Sequence, residues 1–238
     1  IAIFVPKIFN PLAADIDGKY IWQHELVTLH LMKEKAIWLE QENALLLADT
    51  HFGKAAHFRK AGIPVPESNH LDDFHRISNL LDKTGASTVI FLGDLFHSES
   101  NESWFTLLEF IELFPQLNFH LVMGNHDILP ETLYQGSTLK IHKGNLLLGN
   151  LILSHEPQKG LQKGSLNICG HIHPGIVIRK SSIQKFRLPA FYYKNNTLIM
   201  PAFGQFTGLY SMDLNTAECV MVATPEKVIP IKLNNKVG

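Results

Sequence analysis

The stretch VIFLGDLFH, residues 89–97, sets the terms for the whole chain. Val89, Ile90, Phe91 and Leu92 run straight into Gly93, and Asp94 follows at once. A short run rich in β-branched and aromatic residues, with no polar alternation, predicts a strand buried on both faces. In open α/β sheets, ligands gather just beyond the carboxyl ends of such strands. A carboxylate at that point faces a ligand, and the glycine before it leaves room for close approach.

The pattern recurs. Residues 44–47 (ALLL) lead through Ala48 to Asp49, Thr50 and His51, and residues 119–123 (FHLVM) lead through Gly124 to Asn125, His126 and Asp127. Residues 151–153 (LIL) lead through Ser154 to His155, and residues 166–169 (LNIC) lead through Gly170 to His171, Ile172 and His173. One Asp after a strand is usually a turn former or a helix cap. One His there is usually an ordinary surface or core residue. Turn chemistry gives no reason for the whole set. His171 and His173 stand two apart, and in an extended segment such side chains point the same way.

Seven donors emerge: Asp49, His51, Asp94, Asn125, His155, His171 and His173. Oxygen and imidazole donors suit Mn, Fe or Zn. One tetrahedral zinc takes at most four protein ligands, so the set implies two divalent ions sharing a carboxylate. Asp94, on the central strand, is the candidate bridge. His126 directly follows Asn125, which carries its imidazole to the rim of the cluster as a proton donor for a leaving oxygen. Asp127 is placed to fix the His126 tautomer; its plainer role is to cap a helix beginning near Pro130.

Composition sets the outer bounds. The chain has 238 residues, 45% hydrophobic and 18% charged, enough for a substantial core in one large domain or two small ones. No linker, repeat or low-complexity segment divides it, so one domain over residues 1–238 is expected, with residues 1–21 as an arm, a tag remnant or a wrapping strand. A net charge of −1 provides no global basic field for binding nucleic acid by counterion release. Cys169 and Cys219 are the only cysteines, too few for a disulfide scaffold, and Cys169 reads as buried filler. No apolar run approaches the ~18–20 residues that a membrane helix needs. A reducing, cytoplasmic setting with no membrane partner is the expectation.

Along the chain, residues 27–32 and 35–39 read as strands about a Lys33-Glu34 turn. Residues 52–61 read as a helix carrying Lys54, Arg59 and Lys60, either a solvated face or a phosphate-facing patch. Residues 69–83 and 102–114 show apolar positions at three-to-four spacing and predict packing helices; residues 130–134 predict a short one. After Leu139 the texture becomes strands and tight turns, with hairpin signals at Gly149-Asn150 and Asn195-Asn196. Residues 181–185 read as a polar loop. Strands alternating with helices, then a strand-rich half, predict two sheets packed face to face with helices outside, an α/β/β/α sandwich.

The motifs Asp49-x-His51, Gly93-Asp94, Gly124-Asn125-His126-Asp127, the lone His155 and Gly170-His171-x-His173 resemble, in content and order, those of calcineurin-like metallophosphoesterases. GDLFH (residues 93–97) is similar to the variant carried by double-strand-break repair nucleases. ADTHFGKAAHFRKAGIPVP (48–66), RLPAF (187–191) and PAFGQFTG (201–208) resemble the bacterial ligase-associated DNA-damage-response endonuclease branch. The likeness runs over about residues 24–225. It departs at Ala190, where a cysteine is expected, and at Thr50, where a leucine is expected.

The resemblance implies the four-layer sandwich fold. It implies one metal held by Asp49, His51, Asp94 and His173, and another by Asp94, Asn125, His155 and His171. It suggests His97 as a phosphate-positioning residue, DNA as the substrate, and a DNA ligase and a helicase of a repair operon as partners. The metal is expected to be Mn, with Fe or Zn as alternatives. Three functions follow: a nuclease acting on DNA phosphodiesters in repair, the same chemistry on small nucleotides or other phosphoesters, and a non-catalytic binding module. An intact donor set speaks against the last.

Overall fold

The structure is a computed structural model, and it describes residues 18–25, 27–54, 62, 69–96, 101–179, 185–205 and 207–233. A first sheet takes its strands in chain order: β1 (Tyr20–His24), β2 (Val27–Leu31), β3 (Ile37–Leu39), β4 (Ala44–Ala48), β5 (Thr88–Leu92), β6 (Asn118–Val122) and β7 (Lys140–His142). The pairs from β1 to β4 are antiparallel, and those from β4 to β7 are parallel. The apolar run at 88–92 is therefore central, with Ile90 opposite Leu46 on one side and His120 on the other.

Helices α1 (Asn69–Thr84) and α2 (Asn101–Glu112) make the crossovers around β5, and α3 (Glu131–Gln135) precedes β7. Period-two alternation decides what each strand residue touches. Leu45, Leu47, Val89, Phe91, Phe119 and Leu121 meet Phe74, Ile77, Leu80, Trp104, Leu107 and Phe110 of the helices. Their neighbours Leu46, Ala48, Ile90, Leu92 and Val122 face the other way, into the space between the sheets. Burying each such side chain contributes about 2 kcal/mol, which is why these strands read as unbroken apolar runs.

The second sheet runs β14 (Tyr210–Ser211), β11 (Pro174–Arg179), β12 (Lys185–Lys194), β13 (Thr197–Ile199), β10 (Leu166–Cys169), β9 (Leu151–Leu153) and β8 (Leu146–Leu148). β15 (Cys219–Ala223) also pairs with β12, and β16 (Val228–Pro230) with β15. Leu151, Leu153, Leu166, Ile168, Phe191, Leu198 and Met200 face the first sheet. The opposite face holds Cys169, Ile176, Ala190, Tyr192 and Val222, covered by Met212, Leu214, Ala217, Ile231 and Leu233. Among the described residues that outer layer has only a 3₁₀ turn at Leu214–Thr216, and the three α-helices pack on the first sheet's side. Cys169 is fully buried, as the filler reading required.

Some expectations are narrowed and others corrected. Of the three readings of residues 1–21, the strand is the one that the described end of the segment takes: Tyr20 and Ile21 begin β1 and pair with Leu31 and His30. Lys185, assigned to a polar loop, opens β12, where it pairs with Arg179. The helix expected over 52–61 falls largely outside the described residues, as do Arg59, Lys60 and His97.

Candidate metal centre

β4, β5, β6, β9 and β10 all end on one edge of the sandwich, and each hands over to donor residues there. The backbone at these junctions turns sharply. Asp49 (φ 51°), His51 (φ 45°), Asp94 (φ 49°), His171 (φ 68°) and His173 (φ 53°) all lie in the left-handed region. That region disfavours residues with a Cβ, although Asp and His enter it more readily than most. Five strained non-glycine residues at one edge cost about 1–3 kcal/mol each and mark a place where position matters more than comfort.

The structure gathers the donors into two groups. Asp49, His51 and His173 form one, and Asp94, His155 and His171 the other; within each, one ligand atom per residue lies within 4.8 Å of the rest. Asn125 Oδ1 sits 3.0 Å from His155 Nε2 and joins the second group. Asp94, expected as the bridge, is placed in the second group, while Asp49 Oδ1 lies 3.5 Å from His173 Nε2 and 3.8 Å from His155 Nδ1. Asp49 and Asp94 are buried. The glycines between them have no room for a side chain: a Cβ on Gly124 would strike Asp94 Oδ1, and one on Gly170 would strike Asp49 Oδ2.

The arrangement fits a pair of cations. His155 Nδ1 lies 3.1 Å from the Leu92 carbonyl, which can only accept, so the ring proton belongs there. Nε2 then presents a lone pair to Asn125 Oδ1 at 3.0 Å, His171 Nδ1 at 3.0 Å and Asp94 Oδ1 at 3.3 Å. At most one proton, that of His171, lies among these four atoms, and converging lone pairs call for a positive centre. In the first group, His173 Nδ1 lies 3.3 Å from the Gly208 carbonyl. That contact turns Nε2 inward, where it is buried and makes no hydrogen bond. Such tautomer-fixing contacts are typical of imidazoles that ligate metals.

Around this core, the His126 ring lies 6.1 Å from that of His51, centroid to centroid, and is exposed. Asp127 serves a different purpose from the one its sequence position suggested. Its Oδ1 accepts the Leu95 N–H and its Oδ2 the Gly124 N–H, both at 2.8 Å. It ties the junction after β5 to the junction after β6, and it bonds neither the His126 ring nor the start of α3, whose cap residue is Pro130. Burial pushes its carboxyl up to about 6 against those two hydrogen bonds. His126 N–H donates to Asp94 Oδ1 at 3.0 Å, and His171 N–H reaches both Asp49 oxygens, at 3.1 and 2.9 Å. Lys54, half-buried, has its ammonium pKa lowered by burial and partly restored by Asp94.

Sequence reasoning missed the supports of the first group. Residues 203, 204 and 208 carry them, and in sequence this segment is marked only by its family resemblance. Lys35, Asp73 and Arg76 hold it from behind, and no motif or spacing in the sequence marks them.

The calcineurin-like phosphoesterase family model matches residues 43–191, the span that contains every donor. The chain belongs to that family. Its members are metal-dependent phosphoester hydrolases, and the two donor groups fit that chemistry. The chain is similar to the Pseudomonas putida nuclease MPE, at 26% identity over 90% of this chain and 100% of that one, with a TM-score of 0.73. It also aligns with Yfce, a phosphoesterase from E. coli, at 14% identity over 80% of this chain and 99% of that one, with a TM-score of 0.44. No curated protein matches the sequence. Among the described residues, no helix is long and apolar enough to cross a membrane.

Proposed function

We propose that this protein is a two-cation nuclease that hydrolyses DNA phosphodiester bonds, with a role in repair. The observation that carries the reading is the likeness to the Pseudomonas putida nuclease, which extends over the whole of that chain. Asp49, His51, Asp94 and His173 would hold one cation, and Asp94, Asn125, His155 and His171 the other, with Mn as the proposed metal and Fe or Zn as alternatives. When bound, such cations supply Lewis acidity to a phosphoryl group and lower the pKa of water toward neutrality. The remaining work falls to the chain itself. His126, exposed beside His51, delivers a proton to the leaving oxygen. The Lys54 ammonium, held near Asp94, attracts the phosphate. The backbone N–H groups of His126 and His171 keep the two carboxylates aimed at the cations. His97 remains a further candidate for phosphate positioning by resemblance, as do a repair ligase and helicase for partners.

A second reading, hydrolysis of small nucleotides, draws on the net charge of −1, which offers little attraction to a polyanion. Incubation with Mn²⁺ and closed single-stranded circles, linear duplexes, or mono- and cyclic nucleotides separates the two. Cleavage of circles is expected. Turnover of nucleotides with none of any DNA would overturn the nuclease reading.

A further inference from the structure

Residues 201–205 and 207–208 form a strap between the sheets. Phe203 N–H donates to the Ala48 carbonyl (2.8 Å) and Gly204 N–H to the Asp49 carbonyl (3.2 Å), at the end of β4 in the first sheet. The Gly208 carbonyl lies 3.3 Å from His173 Nδ1, beyond β10 in the second. A Cβ on Gly204 would run into the Thr50 carbonyl, so the strap lies flush against the segment that carries Asp49 and His51. It touches both chain segments that supply the first donor group, and it sets the tautomer of one imidazole.

Three side chains grip successive residues of the strap from behind. Arg76 Nη1 donates to the Phe203 carbonyl at 2.9 Å, Lys35 Nζ donates to the Gly204 carbonyl at 3.1 Å, and the Asp73 carboxylate accepts the Gln205 N–H. Arg76 also donates to Asp73 (2.6 Å) and the Glu34 carbonyl (2.7 Å), and its guanidinium lies 3.9 Å over the Phe203 ring. The chemistry is directional. The Phe203 carbonyl and the Gly204 N–H belong to one peptide group, so the charge of Arg76 on the oxygen strengthens the hydrogen bond from the nitrogen to Asp49. Such buried charge is expensive. Burial pushes the Lys35 ammonium down to about 7 and the Asp73 carboxyl up. Charge kept at that cost needs a positional purpose.

We propose that Lys35, Asp73 and Arg76 are positioning residues that clamp the strap and thereby set the cation affinity of Asp49, His51 and His173, leaving the second donor group largely alone. The proposal rests on the two-cation reading. The second group escapes because its supports run elsewhere: His155 Nδ1 lies against the Leu92 carbonyl, and Asp94 Oδ1 accepts the His126 N–H.

The test is a Mn²⁺ titration of the metal-free full chain, followed by calorimetry and electron paramagnetic resonance. The parent should take up two cations. Lys35→Met should take up one with parent affinity and the other about tenfold more weakly, the usual scale for loss of a ligand-supporting contact. In a His173→Ala background, Lys35→Met should cause no further loss, which assigns the weakened cation to the first group. Ile77→Ala, a core truncation on α1, should lower the melting temperature and leave both affinities unchanged. Parent affinities in Lys35→Met, equal weakening of both cations, or the same selective loss in Ile77→Ala would each overturn the clamp. A parent that takes up no second cation would instead remove the two-cation reading, and the clamp with it.

Discussion

In the second donor group the donors converge on one point and are held close by: Asn125, His171 and Asp94 gather at one nitrogen of His155, the Leu92 carbonyl fixes the other, and the His126 N–H holds Asp94. In the first group the parts are held from outside. His173 leans on Gly208, Asp49 takes backbone bonds from Gly204 and His171, and the strap that provides two of these contacts is gripped by charges on α1 and the β2–β3 turn. Both groups draw donors from both sheets, so residue type does not separate them. What differs is the length of the chain of contacts fixing each one. A cluster supported by its immediate neighbours loads its cation with little rearrangement, whereas one supported at a distance responds to changes far from the chemistry.

The comparison breaks most visibly if its members are removed. Asp94→Ala should lower hydrolysis of a model phosphodiester by about 10³-fold, on the scale of losing a transition-state electrostatic contact. Because Asp94 is the carboxylate proposed to serve both sites, its loss should weaken both cations in a Mn²⁺ titration. His173→Ala should remove the cation of the first group and spare that of the second; loss of both in this variant would mean that the halves are not separable.

His126→Ala should slow cleavage of a poor leaving group by about 10²-fold, as for lost general-acid catalysis. A nitrophenolate, which leaves without a proton, should be far less affected. Equal losses on the two substrates would deny His126 its proton. Chelation should abolish activity and lower the melting temperature by roughly 5–10 °C, since a ligand at a hundred times its Kd contributes about 2.7 kcal/mol. Most of that shift should remain in Lys35→Met if the second group binds first.

The smallest expected effect concerns pH. Lys35 has a folded pKa lowered to about 7 against an ordinary 10.5. Between those values the unfolded chain keeps a proton that the folded chain has released, so stability rises with pH through that window. Urea unfolding of metal-free protein at pH 7 and pH 9 should show this rise in the parent and lack it in Lys35→Met. An identical rise in both would place the titration elsewhere.

The legible part of the molecule was the part where burial acts on both faces. Residues 44–48 and 89–92 are apolar throughout because the helix layer covers one side and the opposite sheet the other. The donors stood out because nothing else explains Asp, Asn and His at repeated strand ends. β11 and β12 were harder to read, since Val177, Ile178 and Phe186 are exposed and Pro189 interrupts the pattern. Asp127 misled because a carboxylate beside a catalytic candidate looks like its partner, while backbone amides brought close by folding claimed both oxygens. Lys35 and Arg76 were invisible as positioning groups because charge in a sequence does not say which carbonyl it will meet.

The seam between the sheets has a mechanical consequence. The facing surfaces are apolar, and their burial is a non-directional attraction between the layers. Cations anchored to both layers would act as rivets at one end of that seam. Extracting them should raise amide exchange first at the strand tips beside the rivets, and leave the far ends, near Gly149, unmoved.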